Sequence, residues 1–109
     1  MSDFVIGSAN SNGLYGIFED CEDTGYLYLS DHEGGGIIDH LHIYDYPKKL
    51  GIEEKDVEVV WSNDESKCGV KVWGKLYGVF DLERSKKMAC YIQDKNTSPI
   101  NDPNLLRGF

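Results

Sequence analysis

Two histidines are the residues of this sequence best placed to do chemistry. His40 and His42 are two positions apart, and in a β-strand such residues project from the same face. Both imidazoles could reach one metal ion, with His32 or Asp31 as a third ligand. That arrangement would suit a small metal-binding or carbohydrate-binding β-protein or enzyme. A partly solvated strand also carries two histidines without any ion, and we expect no metal because no third ligand stands at a convincing spacing.

Carboxylates are concentrated in and beside two predicted turns, which we expect to be neighbours. The six residues are Glu19, Asp20, Glu22, Asp23, Asp31 and Glu33. Segment 19–25 lacks the ligand spacing of a calcium loop, and so short a chain leaves little room for a glycosidase cleft. Each residue taken singly is typical of a solvated turn. Together they predict a concentrated negative surface for a basic protein partner, with Tyr26 and Tyr28 as aromatic anchors.

The remaining motifs do not indicate a catalytic site. The three glycines at 34–36 are followed by neither Lys-Ser/Thr nor a helix start, so they are not a phosphate-binding loop. The serines have no G-x-S-x-G setting, and no catalytic triad follows from order or spacing. We therefore expect no enzymatic activity and no cofactor.

Net charge restricts the class of partner. The chain has 19 acidic and 11 basic residues, a formal net charge of −8. Nucleic-acid backbones and anionic membranes would repel such a surface. A cationic protein would be attracted and steered toward it. Solubility alone is an equally ordinary reason for an acidic protein, so the charge by itself does not establish a partner.

Cysteine usage and the N-terminal segment predict the compartment. Cys21, Cys68 and Cys90 are odd in number, widely spaced and without a C-x-x-C pair. This pattern favours neither a zinc site nor a secreted disulfide framework. The N-terminal segment has no signal-peptide pattern, and no apolar run reaches the ~20 residues of a membrane helix. We expect a cytoplasmic protein with three unpaired thiols, of which Cys68 lies in the core.

The clearest strand pattern lies between residues 57 and 83. Apolar and polar residues alternate in three segments, which are separated by a turn at 63–66 and a two-residue loop at Gly74-Lys75. These loops predict that Val70 faces Val59 on one side and Val79 on the other. The segments therefore form a three-stranded antiparallel meander.

That register assigns each side chain of the meander to a face. One apolar face contains Val57, Val59, Trp61, Cys68, Val70, Val72, Tyr77 and Val79. The opposite face has a cross-strand pair of Glu58 with Lys71, beside a patch of Trp73, Leu76 and Phe80. We expect the other half of the protein to cover this patch.

Strands are also predicted in the first half, at 14–19, 26–30 and 37–46. Alternation places Leu27 and Leu29 on one face of the second strand, and Ile37, Leu41 and Ile43 on one face of the third.

Residues 48–55 and the chain beyond residue 83 show weaker patterns. A single helical turn is predicted within 48–55, a last strand at 88–93, and an irregular, surface-lying tail from about residue 94. The prediction is one mainly β domain over 1–109. It consists of antiparallel sheets in a meander, sandwich or half-barrel arrangement, with at most one short helix.

Several short strings resemble a known group of proteins. They are Phe18-Glu19-Asp20, Thr24-Gly25-Tyr26-Leu27-Tyr28, Ile38-Asp39, Leu41-His42-Ile43-Tyr44 and Trp61-Ser62. Over residues 4–82 the chain resembles a family of small uncharacterised bacterial single-domain proteins, some of which look like immunity proteins of contact-dependent or polymorphic toxin systems. The resemblance implies no catalytic residues. It implies a cytosolic protein that binds and blocks a toxin domain, and a cationic, nuclease-type toxin would agree with the acidic charge.

Overall fold

Two four-stranded antiparallel sheets make up the fold, in the orders β1-β2-β3-β4 and β5-β6-β7-β8. The computed structural model describes residues 3–32 and 35–109, without the side chains of His32 and Gly35. The first sheet consists of β1 (Phe4–Ala9), β2 (Tyr15–Cys21), β3 (Thr24–His32) and β4 (Gly35–Asp45). The second consists of β5 (Val57–Trp61), β6 (Lys67–Val72), β7 (Lys75–Asp81) and β8 (Lys86–Ala89). The mainly β, antiparallel fold predicted from the sequence is confirmed.

Helical structure is limited to short connecting pieces. Helix α1 (Pro47–Leu50) and a 3₁₀ turn (Glu54–Asp56) join the two sheets, and α2 (Pro103–Leu106) lies near the C-terminus. The second helix exceeds the single helix predicted. Its start is defined by Asp102, whose carboxylate accepts a 2.9 Å hydrogen bond from the Asn104 backbone N–H. No helix in the described part of the chain is long and apolar enough to cross a membrane.

The two sheets pack face to face, with β1 near β5 and β4 near β8. The core between them takes residues from both sheets, including Phe18, Leu27, Ile43, Val70, Val72 and Phe80. At Gly16 the sheets approach so closely that an added Cβ would overlap Cys68 Sγ and lie 2.9 Å from Val59 Cγ1. Glycine on β2 is therefore required by packing.

The predicted meander is present, but only half of its register is right. Val59 pairs with Val70 and Glu58 with Lys71, as predicted. On the other side Val70 pairs with Gly78 and not with Val79, so that prediction is wrong.

The cause of the error lies in the turn between β6 and β7. The turn residues are Trp73 and Gly74, with φ of +54° and +78°, which makes a two-residue turn of type I′. The predicted loop, Gly74-Lys75, was therefore placed one residue too late in the chain. Lys71 pairs with Leu76 and Val70 with Gly78, so Tyr77 between them has no partner and forms a β-bulge on β7.

This one-residue difference exchanges side chains between the faces. Phe80, predicted on the outer patch, lies in the core between the sheets. Val79, predicted inside, packs outside the second sheet with Leu76. The bulge keeps Tyr77 in the main core, and Trp73 packs against that core as well.

The first sheet follows the predicted alternation except near its second turn. Leu27, Leu29, Leu41 and Ile43 are buried as expected, but Ile37 is 55% exposed and lies outside the core. The register shifts between Leu29 and Ser30, because Leu29 pairs with Asp39 and Ser30 with Ile37, which leaves Ile38 without a partner. The extra residue ends the alternation on β4. Strand β1 was not predicted.

The C-terminal part of the chain is more ordered than predicted. The last strand is Lys86–Ala89, and not 88–93. After it the chain returns to the first sheet, where Ile92 forms a parallel bridge with Tyr44. The tail then covers the outer face of the second sheet, with Ile100 and Leu105 packed on Leu76 and Val79. The patch is thus covered by the tail, and not by the first half of the protein.

Candidate functional site

Charge is divided unequally between the two halves of the chain. Residues 1–47 contain nine acidic residues and no Lys or Arg. Residues 48–109 contain ten acidic and all eleven basic residues. Because all four strands of the first sheet lie before residue 47, the excess negative charge of the protein belongs to this sheet.

The outer faces of the two sheets also differ. The tail buries apolar residues on the second sheet, whereas side chains on the outer face of the first sheet remain half-buried or exposed. On β3 and β4 these side chains are Tyr26, Tyr28, His40 and His42, which we call the aromatic face. The cross-strand pairs Tyr26–His42 and Tyr28–His40 bring them together. The sequence predicted the two tyrosines as contact residues and the two histidines as a pair, and the structure places all four side by side.

The rings of the aromatic face are stacked. Tyr26 and His42 lie nearly parallel, with ring centroids 4.5 Å apart and an interplanar angle of 9°. Tyr28 also stacks on Tyr26, with ring centroids 5.9 Å apart. Tyr91, which follows the second sheet, meets His42 edge-on at 5.0 Å. Such contacts restrict the rotamers of the rings.

Asp45 fixes the end of this row of rings. Its Oδ1 lies 2.9 Å from His42 Nε2, and its Oδ2 accepts a 2.6 Å hydrogen bond from the Tyr91 hydroxyl. The bond from Tyr91, followed by the contact with His42, lowers the pKa of the Asp45 carboxyl. The carboxylate is thus ionised at neutral pH and holds both rings in place.

Asp20 does not share the surface predicted for the acidic residues. It is 3% exposed, and its carboxylate accepts a hydrogen bond from the buried Tyr44 hydroxyl. Burial raises the pKa of Asp20, and the bond from Tyr44 opposes part of that rise. Asp20 serves the interior of the first sheet.

The predicted single acidic surface is also divided. Strand β3 has nine residues, so the turns at its two ends lie roughly 27 Å apart at about 3.3 Å per residue. Exposed Glu22 and Asp23 form one turn, with half-buried Glu19 beside them on β2. Asp31 is exposed near the opposite end, and Glu33 lies outside the described residues. The assumption that the two turns are neighbours is wrong.

The histidine pair has no evident set of further ligands. No three His, Cys, Asp or Glu side chains among the described residues are close enough together to hold a metal ion. Asp45 already occupies Nε2 of His42. Of the two suggested third ligands, the His32 side chain lies outside the described residues, and Asp31 has an interaction elsewhere.

The three cysteines are free, and their surroundings disfavour the reactive thiolate. Cys68 is fully buried in the core, as predicted, and burial raises its pKa to about 12. Burial also raises the pKa of Cys21 and Cys90, and four nearby carboxylates add to the effect at Cys21. Because the thiolate is the nucleophile, none of these residues is prepared for nucleophilic catalysis.

A groove beside the aromatic face was not predicted. It has a volume of about 550 Å³ and is formed by residues 45–50 and 91–96, with exposed Tyr46 and Tyr91 on its walls. These segments are far apart in sequence and meet because the Ile92 N–H donates a 2.8 Å hydrogen bond to the Ile43 carbonyl. No spacing pattern could have found this groove, since it depends on that crossing between sheets. We call it the Tyr46–Tyr91 groove.

Comparison with known proteins gives one result at the level of the family. No curated protein and no solved structure matches the chain. A family model matches residues 2–102, and the predicted resemblance to an uncharacterised bacterial family is thereby confirmed. The chain belongs to the family of uncharacterized proteins conserved in bacteria (DUF2251).

Proposed function

We propose that this protein is a cytoplasmic, non-enzymatic immunity protein that binds and blocks a cationic, nuclease-type toxin domain. The observation that supports this most directly is the position of the aromatic face. It lies on the open side of the first sheet. Residues 1–47, which form that sheet, include nine acidic residues and no Lys or Arg.

The charge distribution suits a basic protein partner. A surface of one sign accelerates the encounter with a partner of the opposite sign. Enzymes that cleave nucleic acid need cationic clefts, because phosphate contacts supply most of their affinity. An acidic sheet that occupied such a cleft would compete directly with the nucleic acid. Inhibition of this kind requires no chemistry from the inhibitor.

The aromatic face supplies the short-range part of the interaction. Tyrosine rings dominate many protein interfaces, because they bury large areas with few rotatable bonds. Tyr26 is in contact with the rings of both Tyr28 and His42, so little side-chain entropy would be lost on binding. His40 and His42 enter this proposal as contact residues, and not as metal ligands.

The acidic turn at Glu22 and Asp23 would act at the rim of this interface. Rim charges mainly change the association rate and its salt dependence. The test is stopped-flow association with the toxin domain encoded beside this gene, at low and high salt. Glu22→Gln/Asp23→Asn should slow association at low salt and flatten the salt dependence.

The matched control removes two charges from the other half of the chain. Glu54 and Glu83 are exposed, so Glu54→Gln/Glu83→Gln changes the net charge equally but should leave the association rate nearly unchanged. Equal slowing by both double variants would show that total charge matters and not the first sheet.

The aromatic contribution is tested by dissociation. Tyr26→Ala should raise the dissociation rate, by about tenfold or more for an interface anchor worth at least 1.4 kcal/mol. Tyr15→Ala, at the other end of the same sheet, is the control. If the neighbouring toxin fails to bind the wild-type protein, the immunity proposal is refuted.

A further inference from the structure

The Tyr46–Tyr91 groove has the dimensions of a small-ligand site. Its volume of about 550 Å³ falls within the about 300–1,000 Å³ common for ligand sites. Buried Leu50 and Ile92 form an apolar floor, and the rings of Tyr46 and Tyr91 stand at the sides. The rim is polar and mixed, with two carboxylates, two amines and two amides; these are Asp45, Asp94, Lys49, Lys95, Gln93 and Asn96.

The Tyr91 ring and the Tyr46 backbone are held before any ligand arrives. Tyr91 is fixed by the hydrogen bond to Asp45 and by its edge contact with His42. Tyr46 has a left-handed backbone with φ of +52°, stabilised by a 2.7 Å bond from its N–H to the Asp23 carbonyl. A bulky residue in this conformation is strained by about 1–3 kcal/mol. The fold nevertheless maintains it, and the Tyr46 ring remains 62% exposed.

The charges of the groove give an ionic ligand no net local attraction. Two lysines balance two aspartates among the lining residues, so neither a cation nor an anion gains a net local attraction. The overall charge of −8 further opposes an anion. The ligand that fits this balance is neutral and polar.

The polar groups that remain available are side-chain donors and acceptors. Asp45 is occupied by His42 and Tyr91, and Asp94 Oδ1 accepts from the Asn96 backbone. The Lys49 and Lys95 ammonium groups have no hydrogen bond or ion pair within the described part of the chain. Flexible amines and amides are suited to hydroxyl groups, which both donate and accept.

The backbone of the groove offers little to a peptide. Seven of its lining residues already donate their N–H groups within the protein; they are Tyr46, Lys49, Leu50, Ile92, Gln93, Asp94 and Asn96. An extended peptide that adds to a sheet depends on free main-chain groups. Most N–H groups of the groove are therefore closed to an added strand, and side chains and ring faces are the groups that remain for recognition.

We propose that the Tyr46–Tyr91 groove binds a neutral saccharide. The C–H faces of a sugar ring pack on the two tyrosines and the apolar floor, and its hydroxyls bond to the amines and amides of the rim. This proposal concerns a second site and does not depend on the toxin-binding proposal.

The test is an NMR titration of ¹⁵N-labelled full-length protein with three neutral trisaccharides: maltotriose, cellotriose and triacetylchitotriose. At least one should shift amide signals of residues 45–50 and 91–96 in a saturable manner. Tyr46→Asn keeps a residue that tolerates the left-handed backbone and should weaken binding by about tenfold or more. Lys95→Met should weaken it several-fold while retaining the apolar stem of the side chain.

The controls separate the saccharide from other ligands. Tyr15→Asn removes an aromatic ring at the opposite end of the first sheet from the groove and should leave the affinity within about twofold of wild type. The anionic trigalacturonic acid and the neutral peptide acetyl-trialanine amide should bind more weakly than the best neutral sugar. Absence of saturable shifts with all three sugars would overturn the proposal. Tighter binding of either comparison ligand, or equal loss in Tyr15→Asn, would overturn it as well.

Discussion

The Tyr44 hydroxyl donates a 2.5 Å hydrogen bond to Oδ2 of Asp20, and both side chains are buried in the first sheet. Burial and the neighbouring carboxylate raise the pKa of Tyr44, so the phenol remains a donor. A glycine makes this arrangement possible, because a Cβ at Gly25 would lie 2.6 Å from the Tyr44 ring. A buried acidic group therefore depends on one phenol.

Replacing that phenol should destabilise the protein in a pH-dependent manner. The bond from Tyr44 favours the ionised form of Asp20, so Tyr44→Phe raises the pKa of Asp20 further above its ordinary value. The loss of stability should be small at low pH, where Asp20 is protonated in both states. It should grow as pH rises through the raised folded-state pKa, to about 1–3 kcal/mol or more near neutrality. Urea unfolding from pH 3 to 7 measures the change.

Tyr77→Phe is the matched control for this experiment. Tyr77 is also buried, but its hydroxyl donates to the neutral Thr97 carbonyl at 3.1 Å. Its loss should cost the same at every pH in this range. Parallel pH profiles of the two variants would contradict the role assigned to Asp20.

Asp20→Asn should show the opposite pH dependence. A carboxyl whose folded pKa is raised lowers the stability of the fold as pH rises through that pKa. The amide has no such ionisation and can still accept the bond from Tyr44. The stability of Asp20→Asn relative to wild type should therefore increase from low pH toward neutrality. A constant difference in unfolding free energy would show that ionised Asp20 carries no net cost.

Close packing at Gly16 gives a second kind of prediction. Gly16→Ala should destabilise the protein by about 1–3 kcal/mol, since the new methyl would overlap Cys68 Sγ between the sheets. Cys68→Ala removes that sulfur and should restore part of the loss in the double variant. Thermal unfolding of the four proteins yields the coupling energy. Additive losses would place the strain elsewhere.

The sequence predicted the β5–β6 register but not the β6–β7 register, and the difference is physical. A turn that starts with glycine is locally cheaper than one that places Trp73 at positive φ. The fold prefers the costlier turn, because Trp73 packs against the main core and its N–H donates a 2.9 Å bond to the Asp56 carbonyl. Those contacts are tertiary, and no local pattern contains them.

The candidate sites divide in the same way. Alternation along β3 was enough to place Tyr26 and Tyr28 on one face. The separation of the two acidic turns follows from the length of the strand between them, and the inward face of Asp20 from its alternation with Phe18 on β2, so both could have been predicted. The Tyr46–Tyr91 groove depends on one bridge between distant segments. Local periodicity thus predicts faces, whereas enclosed sites require the topology.

The thiols should differ sharply in reactivity. The denatured, unreduced protein should contain three titratable thiols, because all three cysteines are free. In the native protein at neutral pH, Cys68 should not react with iodoacetamide before the protein unfolds, since it is fully buried with a pKa of about 12. Half-buried Cys21 and Cys90 should react, but more slowly than free cysteine. Peptide mass spectrometry over a time course measures each site, and labelling of Cys68 at the rate of Cys90 would refute its burial.

The C-terminal tail should contribute to stability through one leucine in particular. Leu105 is 7% exposed and packs with Leu76, Val79 and Ile100 on the outer face of the second sheet. Leu105→Ala should cost about 2–3 kcal/mol, near the lower end of values for buried leucines, because the site lies at the surface of the sheet and can partly collapse.

The adjacent residue is the natural control for that substitution. Leu106 is 38% exposed, and Leu106→Ala removes the same atoms from the same short helix. It should cost less than about 0.5 kcal/mol, as exposed substitutions usually do. Hydrogen bonds also hold the tail. Nζ of buried Lys67 donates a 2.8 Å hydrogen bond to the Arg107 carbonyl, and the Asn63 N–H donates one of 2.8 Å to the Gly108 carbonyl. Urea unfolding measures the free energy of unfolding of both variants. If the two alanine variants lose equal amounts, the tail does not pack on the second sheet in solution, and the outer face of the second sheet is open like that of the first.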